Sequence, residues 1–309
     1  MMKKPLLLLL LLTLLVTPAL SVAETVVTSF YPIYLFTLNL TDGLEGVTVR
    51  NLAQPGTGCL HDYQLSTGDM KALQSADVFL INGAGMESYL DFATDSLPDL
   101  RIVDASEGVA LLPAEPEEHD HDEDEDDGHD HDHGDWNAHI WLDAGNAQMM
   151  VRNLAAGLMA ALPDRAEAIE ANRDAFLTRL AALDEELRAG LSDLPRRDII
   201  TFHEAFPYFA NAYGLHVAAV VNREPDDALS PRQLAELVSA VRALGNPPLF
   251  TEPQYEDIAA QTISRETGAP IYELDPVVTG PSENVPLDYY ETCMRANLTV
   301  LQEALGDTP

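Results

Sequence analysis

Basic residues are scarce in this chain. Its 309 residues include 17 Lys+Arg against 51 Asp+Glu, a formal net charge of −34, and lysine occurs only at Lys3, Lys4 and Lys71. A field of that sign repels phosphate backbones and anionic bilayer surfaces. It argues against nucleic acid or acidic membrane as partners and is compatible with attracting cations. Cysteine is nearly absent as well. Cys59 and Cys293 are the only two, too few for a disulfide scaffold or a four-cysteine zinc ribbon. Beyond the first twenty or so residues no apolar run reaches the ~18 residues that a membrane span needs. G-x-S-x-G, H-E-x-x-H and Walker A patterns are missing, so none of those hydrolase, metalloprotease or nucleotide-binding signatures is available.

What is present begins with an address. Met1-Met2-Lys3-Lys4 is a short positive region, Pro5 to Leu15 is nearly unbroken leucine, and Ser21-Val22-Ala23 offers small residues at the −3 and −1 positions of a cleavage site. This is the pattern of a secretory signal peptide covering residues 1–23. No cysteine follows closely on the apolar run, so no lipid-attachment site is expected, and the simplest destination is a periplasm. Residues 24–309 carry 51 acidic and 15 basic side chains, net −36. With 46% apolar residues overall the chain can bury a sizeable core, spread over about one to three domains.

Short apolar runs alternate with helical patterns. Strands are expected at 25–30, 47–52, 77–81 and 101–104, with helices at 32–40, 67–74 and 87–96. After proline 195 the alternation resumes, with strands at 198–202, 216–221, 248–251 and 270–274 and helices at 204–213, 231–244, 255–267 and 287–305. Such alternation with short connections marks parallel sheets with crossover helices. Between the two series, Ile169, Phe176, Leu177, Leu180, Leu183 and Leu187 keep i, i+3, i+4 spacing, which predicts one helix to about Leu191, roughly 40 Å long. The expected fold class is therefore α/β: two lobes, each a mostly parallel four-stranded sheet with flanking helices, joined by one long rigid helix. The boundaries are 24–160, 161–194 and 195–309.

Residues 115–135 break the pattern. They contain 13 acidic residues, 5 histidines, 2 glycines and 1 proline, and no large apolar side chain. Such a segment cannot offset its ordering entropy by burial and is expected to be a disordered loop. His119, His121, His129, His131 and His133 interleave with its carboxylates and offer many weak metal sites. Its negative charge would also concentrate divalent cations nearby. The plainer reading is a solvated acidic linker.

In open parallel sheets, ligands sit at the carboxyl ends of the strands. There the chain places His61, at the end of a Gly-containing loop, and His203 after the fifth strand, with Asp275 after the eighth. His139 follows the acidic loop. Three imidazoles and one carboxylate, two from each lobe, suit a tetrahedral Zn²⁺ site. Singly, each has a plainer reading: a histidine after a strand is more often hydrogen-bonded or exposed than a ligand, and Asp275 before Pro276 can simply set a turn. His216 has no motif around it and is read as structural.

At these residues the chain resembles the metal-binding solute-binding proteins of ABC importers, cluster A-I, and their zinc-type periplasmic branch in particular. The similarity rests on Ser29-Phe30-Tyr31-Pro32-Ile33, Pro55-Gly56 through His61-Asp62-Tyr63, Asn137-Ala138-His139-Ile140-Trp141-Leu142-Asp143, Thr201-Phe202-His203-Glu204-Ala205-Phe206, and Phe250-Thr251-Glu252-Pro253-Gln254 with Ile263 to Pro276. It implies Zn²⁺ held between the lobes by His61, His139, His203 and Asp275, with Glu252 or water as the other candidates for the fourth position. It further implies a membrane permease with its cytoplasmic ATPase as partner, acting on a monomer. The acidic His-rich loop has a counterpart in the family. The chain departs from the pattern at Leu60, where many relatives carry proline. A Cys59–Cys293 disulfide is open in an oxidising compartment. The other readings are manganese or another divalent metal in the same frame, an exported zinc hydrolase using Glu204 or Glu252 as base, and a metal buffer or adhesin working through the loop alone.

Overall fold

The computed structural model describes residues 23–54, 60, 63–114, 136–221, 229–255 and 258–306. Residues 1–22 of the expected signal peptide, His61, Cys59 and residues 115–135 with their five histidines lie outside the described residues.

The first half is built from β1 (Glu24–Thr28), α1 (Tyr31–Leu40), β2 (Val47–Asn51), α2 (Thr67–Gln74), β3 (Val78–Ile81), α3 (Leu90–Ser96) and β4 (Ile102–Asp104). Its four strands are all parallel, in the order β2-β1-β3-β4. Central β3, Val-Phe-Leu-Ile, is buried throughout, whereas edge strand β2 alternates between half-buried and exposed. That is the contrast expected when helices cover both faces of a parallel sheet. Proline in the first turn starts α1, and a capping box between Ser66 and Asp69 starts α2.

A 3₁₀ turn at Ile140–Leu142 leads into α4 (Ala144–Ala161), capped by Asp143. After a second 3₁₀ turn at Pro163–Arg165, α5 runs from Ala166 to Leu191. Its stripe of Ile169, Phe176, Leu180, Leu183, Leu187 and Leu191 is wholly buried. It packs along α4, α1 and the last helix, Tyr289–Leu305. Arg179 of α5 pairs with buried Glu291 at 2.9 Å and also donates to Asn39 of α1.

The second half comprises β5 (Asp198–Thr201), α6 (Pro207–Tyr213), β6 (His216–Val220), α7 (Pro231–Ala243), β7 (Leu249–Thr251), α8 (Ile258–Thr267), β8 (Ile271–Glu273) and α9 (Tyr289–Leu305). Its sheet order, β6-β5-β7-β8, repeats that of the first. One hydrophobic core continues from the first half through α5 into α6, α9, Phe250 and Leu274. A smaller core under α7 and α8 holds Ile200, Val238, Leu249 and Ile263. The expected α/β architecture of two sheets and one long helix is the observed one. Among the described residues no helix is long and apolar enough to cross a membrane.

Candidate metal centre

Register explains how the second half assembles its part of the site. Strands β5 and β7 are parallel neighbours with Thr201 opposite Phe250, so two residues further on His203 meets Glu252. The His203 Nδ1 lies 2.9 Å from Glu252 Oε1, both side chains almost fully buried. The other carboxylate oxygen accepts from Gln254 Nε2 at 2.6 Å. With both oxygens occupied, Glu252 is an orienting group for His203. The carboxylate takes Nδ1–H and so places the imidazole lone pair on Nε2.

His139 is supplied by the segment before α4. Asn137 Oδ1 accepts from the His139 backbone N–H at 3.0 Å and faces its Nδ1 at 3.2 Å. The backbone donor identifies that atom as oxygen, so here too Nδ1 carries the proton and Nε2 the lone pair. Asn82 Nδ2, past the end of β3, donates to Ala138 O at 2.9 Å. The Asn82 and Gly83 N–H groups in turn donate to the buried Glu87 carboxylate at 2.8 and 3.1 Å. Burial pushes that carboxyl up to about 7, against the opposing pull of the two amide donors.

The two imidazoles come together from opposite halves of the chain. Their ring centroids are 4.8 Å apart, nearly perpendicular, with His139 also against Trp141 at 5.2 Å. They are 3% and 1% exposed, a level at which a polar side chain needs a partner or a ligand. Two neutral imidazoles this close can serve one ion at Zn–N distances of about 2.0–2.1 Å.

Asp275 lies two residues beyond β8. Its Oδ1 accepts from Val277 N at 2.7 Å, and its backbone is held at both ends by the Asn297 amide. Val277 has φ 62, a left-handed conformation costly for a β-branched residue. It is tolerated where the Asp275 carboxylate grips its N–H and Trp141 Nε1 grips Pro276 O at 2.8 Å. Burial raises the Asp275 pKa, Val277 N–H and the Cys293 thiol lower it, and the nearby Glu252 charge raises it. Cys293 itself is a free, buried thiol, pushed up to about 12 by burial and by the Asp275 charge. The Cys59 half of the expected bridge lies outside the described residues. Among the described residues no group of three or more His, Cys, Asp or Glu donors converges on one point. The structure thus joins His139 with His203 and places Asp275 within electrostatic reach of Glu252, the partner of His203; His61 lies outside the described residues. His216 is exposed and pairs with Asp198 at 2.8 Å.

Of the supporting residues, Glu252 is a candidate from the sequence, whereas Asn137, Trp141 and Tyr290 are not. Asn137 precedes His139 by two, the spacing at which an Asn side chain turns back onto the backbone, and that spacing was available. The Trp141–Pro276 link and the Tyr290 hydroxyl on Trp141 O at 2.7 Å span 135 and 149 residues and had no local signal.

Two like-ordered parallel sheets, a long helix beside both, and a buried histidine from each half define the class of two-lobed solute-binding proteins. Residues 26–304 match the family described as ZnuA, zinc-uptake complex component A, periplasmic, and the chain belongs to that family. Among its relatives is the zinc-binding lipoprotein AdcA of Streptococcus pneumoniae serotype 4, 32% identical over 281 residues, covering 90% of this chain and 55% of AdcA. The chain therefore spans about half the length of that relative. The high-affinity zinc uptake system protein ZnuA of Bacillus subtilis is 31% identical over 284 residues, 91% of this chain and 87% of the relative. The Zn(II)-bound ZnuA-like domain of Streptococcus pneumoniae AdcA superposes with a TM-score of 0.75 at 27% identity, covering 92% and 99% of the two chains.

Proposed function

We propose that this protein captures Zn²⁺ in the periplasm, after export on a cleavable signal peptide, and delivers it to an ABC-type importer made of a membrane permease and a cytoplasmic ATPase. The observation that carries the reading is the buried pair His139 and His203, ring against ring, each with Nδ1 engaged by a side-chain oxygen. His61 is the third ligand and Asp275 the fourth, the latter drawn in when the ion binds. The lobes are 24–160 and 195–309, with helix 161–194 between them. The zinc-binding relatives support zinc as cargo, and the histidine-dominated donor set favours it over Mg²⁺ or Ca²⁺. Binding without catalysis is supported by Glu252 and Glu204: the first has both oxygens engaged, and the second hydrogen-bonds to Asn137. The chain acts as a monomer.

Elemental analysis and competitive zinc titration of His61→Ala, His139→Ala and His203→Ala test the site. Each variant is expected to lose tight stoichiometric zinc. Retention of tight zinc in all three would overturn it. Deleting residues 115–135 is expected to leave the tight site in place.

A further inference from the structure

Asn137 touches both halves of the candidate centre. Its Oδ1 accepts from His139 N and faces His139 Nδ1. Its Nδ2 donates to Glu204 O at 2.8 Å and reaches Glu204 Oε1 at 3.3 Å, in the residue that follows His203. The backbone of Asn137 is fixed separately. Its N–H donates to Leu112 O at 2.9 Å, and its carbonyl accepts from the Tyr208 hydroxyl at 2.9 Å, which itself accepts from Leu112 N. The side chain is 4% exposed. The amide cannot be flipped, because a backbone N–H meets one end and a backbone carbonyl the other.

We infer that Asn137 is the positioning residue that sets His139 and His203 as one preformed pair. Its oxygen selects the His139 tautomer with the lone pair on Nε2. Its NH₂ anchors the turn after β5 that carries His203. A single amide thereby links two ligands that are 64 residues apart in the chain, one before α4 and one after β5. Orientation fixed before the ion arrives means less ordering on binding, which is how supporting groups raise metal affinity. The inference rests on the reading of His139 and His203 as zinc ligands.

The test compares wild type, Asn137→Leu and Asn137→Asp as full-length exported protein labelled with ¹⁵N, with His139→Ala alongside. Long-range ¹H–¹⁵N spectra of the metal-free proteins report the His139 tautomer, and chelator competition reports zinc affinity. Wild type should show a single Nδ1–H tautomer. Asn137→Leu should lose that uniformity and bind zinc about 10–100-fold more weakly. Asn137→Asp keeps the acceptor and loses the donors to Glu204, so it should retain the tautomer and fall between the two in affinity. Wild-type tautomer and affinity in a folded Asn137→Leu would overturn the inference. Should that variant fail to fold, an Asn137→Asp protein with wild-type affinity, or without the tautomer, would overturn it instead. Wild-type zinc binding by His139→Ala would instead refute the ligand reading itself. Loss there with affinity intact in Asn137→Leu refutes only the role of Asn137.

Discussion

Glu252 takes a contact in the structure that its place in the sequence does not show. Its position after a strand made it an alternative fourth ligand, yet register brings it against His203, and Gln254 takes its second oxygen. Glu252→Ala should therefore weaken zinc binding about 10–100-fold with stoichiometry unchanged, and Glu252→Gln, which keeps an acceptor for Nδ1–H, should lose less. Chelator competition distinguishes this from a direct ligand, whose loss would abolish the stoichiometric site. Glu87 makes a second prediction. Its folded pKa of about 7 lies above the ordinary 4.5, so the folded chain favours the protonated form. The stability tied to it is complete below about pH 4.5 and declines as pH rises to about 7, by on the order of 3 kcal/mol. Thermal midpoints of wild type should fall relative to Glu87→Gln between pH 5 and pH 8. Parallel curves for the two proteins would show that Glu87 does not titrate in that window.

Among the elements, α3 and α6 each begin three residues later than the sequence expectation. Helical patterning suggested starts at 87 and 204, whereas the helices begin at Leu90 and Pro207. In both places a glutamate that would suit a first helical turn is used elsewhere: Glu87 on the Asn82 and Gly83 amides, Glu204 on Asn137. Tertiary hydrogen bonds won over a local propensity of a few tenths of a kcal/mol. Helix α4 offers a test of packing against propensity. A Cβ added at Gly157 would collide with the Val103 side chain of β4. Gly157→Ala gains about 1 kcal/mol in helix propensity but forces overpacking that costs about 1–3 kcal/mol. The urea midpoint should fall; a rise would mean that β4 yields more easily than its packing indicates.

At the scale of the molecule, the two sheets are less separate than their like order implies. The principal core passes from one to the other through α5, and Trp141, Tyr208, Tyr290 and Arg179 make polar links between the halves. Unfolding in urea should therefore follow one transition, coincident by far-ultraviolet circular dichroism and by tryptophan fluorescence. Separated transitions would contradict a continuous core. The same links leave little freedom for wide opening, so metal capture is expected to involve small local movements around a largely fixed frame.

The sequence by itself determined the α/β alternation, the eight strands, the long helix and the residue types suited to zinc, because periodicity and strand-end position are local properties. It also placed His139 and His203 in equivalent roles. Only the tertiary structure decided that these two meet, that Glu252 and Asn137 engage their Nδ1 atoms, and that Asp275 holds the N–H of a left-handed Val277. Those facts depend on strand register and on contacts between residues as much as 149 positions apart, and no short-range pattern encodes them.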